Sequence, residues 1–317
     1  MRSLGSVMAE LSLIPRGNLG NQMLQYIFAL SLQDHVPELR ISGYDIPIWN
    51  LHSPSSLRLT FLTPSIRITE TDGRGVSDLF KNGQLIRAKL RGVPLRCEMF
   101  SGPDRFRQVF GVPKDATAVT GPDELLINVR GDEILKAAHS GYGPIPLAWY
   151  QHLVKGSGLR PVFLGQLADD YYSNLLRVAF PDARFIPSSG ILGDFTAICM
   201  AQNIALSVST FSWLAGWLSN ASQIFMPMLG IFNPKQRPDI WMLPLSDTRY
   251  RFYEFPVREW QATDAQKTAL SSPCQITELP HDKLQSMWHE QERDRVPIRQ
   301  AALRSLRRKA GLLRVGR

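Results

Sequence analysis

The segment from Ile204 to Leu218, IALSVSTFSWLAGWL, contains an apolar run, a polar turn and a second apolar stretch in direct succession. Its first five residues are typical of a buried strand in a parallel sheet. The turn carries hydroxyl side chains, and Ser209 or Thr210 can cap the helix that follows. The segment therefore predicts a strand–helix unit of an α/β protein, with the helix over Phe211–Leu218.

The same alternation extends to both sides of this segment. Short apolar runs bounded by turn residues are predicted as strands over Leu11–Ile14, Leu39–Ser42, Leu125–Val129, Val162–Leu164, Ala183–Ile186, Ile204–Val208 and Ile224–Met226. Helical periodicity covers Gln22–Leu32, Leu147–Val154, Asp170–Ala179, Phe195–Ala201 and Phe211–Leu218. From residue 123 onward strands and helices alternate, which favours a parallel sheet with helices on both faces.

The chain has 317 residues, enough for about two domains at roughly 150 residues each. The turn residues Gly121 and Pro122 predict one boundary, and Pro256 marks a second break. We expect an α/β domain over residues 1–122, a second over 123–260, and a helical, basic tail over 261–317.

The composition is that of a globular protein, with 44% hydrophobic and 20% charged residues. No apolar run approaches the ~18 residues that cross a bilayer, and the N-terminus does not resemble a signal peptide. Cys97, Cys199 and Cys274 are odd in number and widely spaced, which predicts neither a disulfide framework nor a metal site. We therefore expect a cytoplasmic location.

The net charge of +8 comes from the end of the chain. Residues 295–317 contain eight Lys and Arg side chains and no acid, so the remainder carries 28 basic and 28 acidic side chains. A neutral body predicts no nucleic-acid partner. Within the tail, one apolar helical face predicts contact with an anionic membrane surface or a partner, the alternative being a solvated terminus. That face consists of Leu303, Leu306, Ala310 and Leu313.

The turn after the first predicted strand is the first candidate site. Gly17 and Gly20 allow close approach of a ligand to the backbone around Asn18, and the following helix offers free N–H groups to an anion. Asn21 and Gln22 add amides that can orient a hydroxyl or a phosphate. The alternative is a plain tight turn.

The second candidate is Arg130, which directly follows the predicted strand Leu125–Val129. Parallel sheets bind ligands at the carboxyl ends of their strands, and the guanidinium fork suits a phosphate. An alternative is that Arg130 pairs with Asp132 or Glu133 at a turn.

The turn from Ser209 to Ser212 is the third candidate. Its hydroxyls and the first N–H groups of the helix can form a neutral cradle for an anion. Simple helix capping by the hydroxyls is the alternative. Trp213 and Trp217 lie four residues apart on one helix face, which favours packing.

Together these segments resemble the bacterial galactoside 2-α-L-fucosyltransferases, glycosyltransferase family 11. GNLGNQMLQY over residues 17–26 is similar to the family's G-x-L-G-N-Q-hydrophobic-x-Q-Y signature, and STFSWLAGWL over 209–218 to its S-T-F-S-W-W-x-A-W-L segment. NVRGD over 128–132 lies where the family has H-x-R-R-G-D. The order and rough spacing agree over residues 16–220.

This resemblance implies a GT-B fold, two Rossmann-like domains with parallel sheets on either side of a cleft. It implies GDP-fucose as donor, inversion at the sugar carbon, and neither a metal nor another cofactor. Residues and resemblance together predict Arg130, Asn21 and Asp132 as catalytic residues. The predicted donor contacts are Gly17, Asn18, Gly20, Gln22, Asn128, Gln166, Asp169, Ser209, Thr210, Phe211 and Ser212.

The sequence departs from the family pattern in two places. Asn128 stands at the histidine position, and the shortened motif leaves Arg130 where members carry two arginines. The family also has an acidic pair associated with guanine after the next strand. Here four residues separate Asp169 and Asp170 from that strand. One alternative is that Gln166 occupies the position equivalent to the acidic pair. Another is that Asp170 caps the next helix.

The predicted reaction is transfer of fucose to a hydroxyl of an oligosaccharide or a lipid-linked glycan, α-1,2 to galactose in bacterial surface polysaccharide synthesis. The basic tail would place the enzyme at the inner face of the membrane. Asp132, Glu133 and His139 are candidate general bases. The alternatives are a transferase with a different nucleotide sugar, a non-catalytic nucleotide-sugar-binding protein, and a polyanion-binding protein that acts through its tail.

Overall fold

The computed structural model describes residues 8–55, 63–67, 71–138 and 141–315, with side chains up to residue 311. The chain divides into two compact units. Unit 1 comprises residues 1–109 and 287–317, and unit 2 comprises residues 110–286. The predicted α/β class is confirmed, because each unit contains a parallel sheet and the C-terminal segment is helical.

Unit 1 is built around a four-stranded parallel sheet with the strand order β2-β1-β6-β5. A separate antiparallel pair, β3 and β4, accompanies it. The elements are β1 (Glu10–Leu13), α1 (Leu19–His35), β2 (Arg40–Ser42), β3 (Tyr44–Ile46), β4 (Leu51–Ser53), β5 (Ser65–Arg67), α2 (Gly73–Lys81), β6 (Arg87–Arg91) and α3 (Pro103–Val109).

Unit 2 contains a seven-stranded sheet. Its elements are β7 (Glu124–Val129), α4 (Leu147–Ser157), β8 (Arg160–Gly165), α5 (Tyr171–Ala179), β9 (Arg184–Pro187), α6 (Ile191–Met200), β10 (Asn203–Ala205), α7 (Thr210–Leu218), β11 (Gln223–Met228), β12 (Tyr250–Glu254), α8 (Asp264–Ala269) and β13 (Thr277–Leu279). A long helix, α9 (His281–Val315), begins in unit 2 and continues into unit 1.

The strand order of unit 2 is β13-β12-β11-β10-β7-β8-β9, and all pairs except β12 with β13 are parallel. Counted from β7, the parallel strands follow the order 3-2-1-4-5-6, which is that of Rossmann-type nucleotide-binding domains. All six residues of β7 are buried. Its apolar run therefore reflects a strand in the middle of a sheet covered on both faces.

The end of the second predicted domain and the end of one predicted strand differ from the structure. The sheet of unit 2 continues past residue 260, because β13 pairs with β12. The predicted strand Ile204–Val208 is shorter than expected. It ends at Ala205, because the polypeptide then turns toward α7 and the N–H of Ser207 bonds to the Ser212 hydroxyl.

The C-terminal segment packs within unit 1 and does not form a separate tail. Leu306 and Ala310, two members of the predicted apolar face, are 4% and 7% exposed, and a Cβ at Gly75 would lie 2.6 Å from Leu303. The apolar face of α9 therefore packs against the rest of unit 1. The Leu313 side chain lies outside the described residues. Among the described residues of this helix, six Lys and Arg side chains are exposed, namely Lys283, Arg293, Arg304, Arg307, Arg308 and Lys309.

Candidate functional site

The carboxyl edge of the unit 2 sheet has its topological switch point between β7 and β10. From β7 the chain proceeds to β8 and β9 on one side, and then returns to place β10 on the other side. Arg130 follows β7 directly, and Ser209 lies in the turn after β10. In sheets of this kind ligands bind in the crevice outside the strand ends at the switch point.

The Arg130 side chain is 23% exposed and is held at both terminal nitrogens. Nη1 donates to the Ser209 hydroxyl at 2.9 Å, and Nη2 donates to a carboxylate oxygen of Glu133. Its Nε is buried and has no hydrogen-bond partner among the described residues. One of the two predicted turn pairings is therefore present, and a donor of the guanidinium group is still unsatisfied.

Ser209 joins this arginine to the start of α7. Its side chain is buried, and its hydroxyl accepts from the N–H of Phe211 at 3.2 Å as the helix N-cap. The arginine cation therefore lies at the positive end of a helix dipole, where a negative charge is favoured. Glu133 supplies one such charge from within the chain, and an anionic ligand would supply another.

Asn128, a predicted donor contact, is buried at 6% exposure. Its Nδ2 donates to the carbonyl of Leu164 at 3.3 Å, and its Oδ1 accepts from the Ser207 hydroxyl at 2.7 Å. These bonds tie the end of β7 to β8 and to the turn after β10. The structure therefore gives Asn128 a positioning role behind Arg130.

Ser212 is also a positioning residue, which corrects its prediction as a donor contact. Its side chain is fully buried, and its hydroxyl accepts from the N–H of Ser207 at 3.1 Å. Thr210 and Phe211 are partly exposed at the start of α7. Trp213 and Trp217 stack at 5.3 Å in the core, as the packing interpretation predicts.

Replacing Ser212 with alanine is expected to lower the free energy of unfolding by about 1–3 kcal/mol, because it leaves the buried N–H of Ser207 without an acceptor. Urea denaturation measures this change, and exposed Ser222 provides the matched Ser222→Ala control. Equal stabilities for the two variants would contradict the positioning role.

In the turn after β7, the backbone amide of Gly131 and the carboxylate of Asp132 form hydrogen bonds with different residues. The N–H of Gly131 donates to Gln166 Oε1 at 2.9 Å, which fixes the exposed Gln166 beside the strand end. Asp132 is exposed and accepts from Lys136 at 2.8 Å. This hydrogen bond raises the pKa of Lys136. Asp132 thus lies on the rim of the edge, and it is Glu133 that contacts Arg130.

The acidic pair proves to be part of a helix start. Asp170 caps α5, accepting from the N–H groups of Tyr172 at 2.9 Å and Ser173 at 2.8 Å. Asp169 is exposed and accepts from Asn174 Nδ2 at 3.1 Å. The capping interpretation of Asp170 is therefore correct.

A cavity of about 900 Å³ lies at the carboxyl ends of β7, β8 and β9. Apolar side chains line it together with polar groups. The volume of the cavity is at the upper end of small-molecule sites and exceeds what a nucleoside needs. Within its lining, Lys267 lies over the Tyr171 ring at 5.7 Å. The polar residues that line the cavity are Asp132, Lys136, Gln166, Asp170, Tyr171, Ser188 and Lys267.

The other five predicted residues lie in unit 1, in the turn between β1 and α1. Gly17 has a φ of +70°, and a Cβ there would lie 2.2 Å from Asn21 Nδ2. Gln22 Nε2 donates to the Gly17 carbonyl at 3.2 Å. Asn18 is the exposed N-cap residue, although its side chain makes no capping bond, and Gly20 is buried.

Gln25 is part of the GNLGNQMLQY segment, but the sequence patterns assigned it no role, and it lies in α1, after the turn. The side chain is 1% exposed, and its Nε2 donates to the carbonyls of Ile14 and Gly92 at 2.9 and 2.8 Å. It joins the ends of β1 and β6 and so holds the turn in place. A polar residue at a helix position between apolar neighbours is the signal that could have identified it.

His139, a candidate base, lies outside the described residues. Within the described ranges no group of three or more His, Cys, Asp or Glu side chains could hold a metal ion. In the same part of the chain, no helix combines the length and apolar character that crossing a membrane requires.

No protein-family model matches the chain, and no curated protein matches it. Solved structures with some similarity include the Escherichia coli heptosyltransferase WaaC with ADP, at 12% identity and a TM-score of 0.41, covering 89% of this chain and 99% of that one. Another is TibC, an iron-containing dodecameric glycosyltransferase from enterotoxigenic E. coli H10407, at 12% and 0.39, covering 87% and 67%. Values this low do not establish a shared fold or function.

Proposed function

We propose that the chain is a glycosyltransferase that binds a nucleotide sugar at the carboxyl edge of unit 2. The observation that carries the proposal is the Arg130–Ser209 hydrogen bond, which places a guanidinium group at the N-terminus of α7 at the switch point. Both features favour an anion. A diphosphate supplies that charge, and the nearby cavity has room for the nucleoside.

The proposed reaction is an inverting displacement. A hydroxyl of the acceptor attacks the anomeric carbon, the bond from that carbon to the diphosphate oxygen breaks, and the acceptor proton passes to a base. Negative charge develops on the departing nucleoside diphosphate. Arg130 and the N–H groups at the start of α7 are arranged to stabilise it, as preorganised donors do in other active sites.

Glu133 has a defined place in this proposal. Its carboxylate holds the Arg130 guanidinium in the ligand-free protein, on the side where a phosphate would compete for the same donors. Binding of the diphosphate would release Glu133. The freed carboxylate is then a candidate for the base that accepts the acceptor proton.

GDP-fucose is the donor we propose, and a glycan hydroxyl is the acceptor. The support is the resemblance of residues 17–26 and 209–218 to family 11 fucosyltransferases. By that resemblance the enzyme would work in bacterial surface polysaccharide synthesis, with GT-B architecture. The exposed basic side chains of α9 would suit an anionic membrane surface near a lipid-linked acceptor.

A transferase with a different nucleotide sugar is the second candidate. The buried amide of Asn128 is bonded to Leu164 and Ser207, and Asp170 caps α5. Two positions at which the sequence departs from the family pattern are therefore engaged within the protein. This observation favours a changed base or sugar specificity.

Thermal shift and donor hydrolysis with GDP-fucose, GDP-mannose and UDP-sugars test both candidates. We expect stabilisation and slow hydrolysis with GDP-fucose, since water can replace the acceptor. Binding without turnover by any donor would favour a non-catalytic protein. Binding of none would overturn the proposal.

Turnover is expected to persist in excess EDTA, because Arg130 and the α7 N-terminus are assigned to the charge of the leaving group. Initial rates before and after chelation measure this, with added Mg²⁺ and Mn²⁺ as controls. Loss of activity on chelation, with recovery on adding metal, would show that a cation performs that task.

A further inference from the structure

The turn that follows β11 reaches the same edge of the sheet as Arg130. The strand order β7-β10-β11 places β10 alone between them, so the ends of β7 and β11 are about 10 Å apart. This turn, residues 229–241, contains Arg237. Neither the sequence patterns nor the proposed function assigned it a role.

Close packing fixes this turn against residues 141–144. Gly230 has a φ of +59°, and a Cβ there would lie 2.2 Å from the carbonyl oxygen of Gly141. Gln236 Nε2 donates to the carbonyl of Arg258 at 2.9 Å, and Arg258 Nη2 donates to that of Pro144 at 2.6 Å. The segment that carries Tyr142 and the turn that carries Arg237 therefore form one packed body.

The Arg237 guanidinium is held in a defined orientation. Its Nε and Nη2 donate to the two carboxylate oxygens of Asp239 at 2.9 and 2.7 Å. The backbone N–H of Arg237 donates to the carbonyl of Asn233. Asn233 is fully buried and bonds to Phe255. Nη1 of Arg237 makes none of the hydrogen bonds found within the described residues, and the side chain is 39% exposed.

Tyr142 lies within electrostatic reach of both arginines. Burial raises the pKa of its phenol, and the positive charges of Arg130 and Arg237 act against that rise. The phenol group therefore lies where both guanidinium groups act on it. The packing of residues 141–144 on the turn after β11 independently places the segment that carries Tyr142 against the turn that carries Arg237.

We propose that Arg237 is a second cationic contact for the diphosphate. The proposal rests on the nucleotide-sugar site proposed above. A nucleoside diphosphate carries more than one negative charge, whereas Arg130 supplies a single positive charge at this edge of the sheet. The Nη1 donor of Arg237 is not used in any hydrogen bond within the described residues, and Asp239 fixes the orientation of the guanidinium group.

The test measures dissociation constants for GDP and for guanosine by calorimetry with the full chain. Arg237→Ala is expected to weaken GDP binding about 10-fold and to leave guanosine binding unchanged, because the loss is confined to the phosphates. Arg251→Ala is the matched control, since Arg251 forms a bidentate pair with Glu278 at similar exposure but lies on β12. Arg237→Gln repeats the test with the side-chain volume largely kept, in case the alanine variant fails to fold.

The possible outcomes separate this inference from the proposed function. If Arg130→Ala weakens GDP binding while both Arg237 variants match Arg251→Ala, the inference is wrong and the proposed site stands. An equal loss of GDP and guanosine binding in the Arg237 variants would also overturn it, since that pattern indicates a structural role. If the unmodified chain binds no nucleoside diphosphate, both proposals fail.

Discussion

Replacing Arg130 with alanine is expected to lower turnover of the nucleotide-sugar donor about 10²–10³-fold, the usual effect of removing one preorganised donor from a developing anion. The side chain is partly exposed at a strand end, and its Nε has no partner among the described residues. Its loss should therefore change the melting temperature little. Arg130→Lys should recover part of the rate, because lysine restores the charge without the bidentate fork.

Arg160 provides the matched control for this experiment. It lies at the start of β8, on the opposite edge of the same sheet, and pairs with Asp123 at 2.7 Å. Arg160→Ala removes an arginine–aspartate pair from unit 2 without approaching the switch point, so donor turnover should be unchanged. Near-normal turnover by Arg130→Ala would contradict the assignment of Arg130 to the diphosphate.

Replacing Glu292 with glutamine is expected to lower the free energy of unfolding by about 3–5 kcal/mol, the usual cost of breaking a buried ion pair. Glu292 is 14% exposed and bonds to Arg96 and Arg299, with Arg295 Nε at 3.7 Å. Arg96 and Arg295 are themselves 2% and 5% exposed. The substitution leaves buried guanidinium groups without their shared carboxylate.

Urea unfolding measures this effect, and Glu290→Gln is the control because Glu290 is exposed two residues earlier on the same helix. Burial lowers the pKa of Arg295, and the neighbouring positive charge of Arg96 acts in the same direction. The carboxylate of Glu292 acts against this shift and so stabilises the charged form of Arg295. If both variants unfold at the same urea concentration, α9 is held to unit 1 by its apolar face alone.

The sheet of unit 2 could be predicted because its central strands are buried on both faces. Leu125–Val129 and Val162–Leu164 are apolar runs for that reason, and the structure contains strands there. In unit 1, β6 has the sequence RAKLR and buries Lys89. Three of its five residues are basic, so the sequence lacks the apolar run from which a buried strand is predicted. The return of α9 to unit 1 depends on contacts between distant residues, such as Arg96 with Glu292, which local periodicity cannot reveal.

The candidate site was predictable as a location but not in its details. The rule that ligands bind at strand ends identified Arg130 and the Ser209 turn, and the two are hydrogen-bonded. The direction in which Ser212 points depends on the position at which α7 begins, and a run of hydroxyl residues does not define it. Arg237 lies in a turn without periodicity, so only tertiary packing brings that turn against the segment that carries Tyr142.

A crystal structure of the full chain with GDP is the decisive test of the proposed diphosphate site at the ends of β7 and β10. We predict that the diphosphate lies outside the ends of β7 and β10, with its oxygens within hydrogen-bond distance of the Arg130 guanidinium and of the first N–H groups of α7. The Glu133 carboxylate should have moved away from Arg130. GDP bound elsewhere on the molecule, with the Arg130–Glu133 pair intact, would contradict the assignment of Arg130 to the diphosphate.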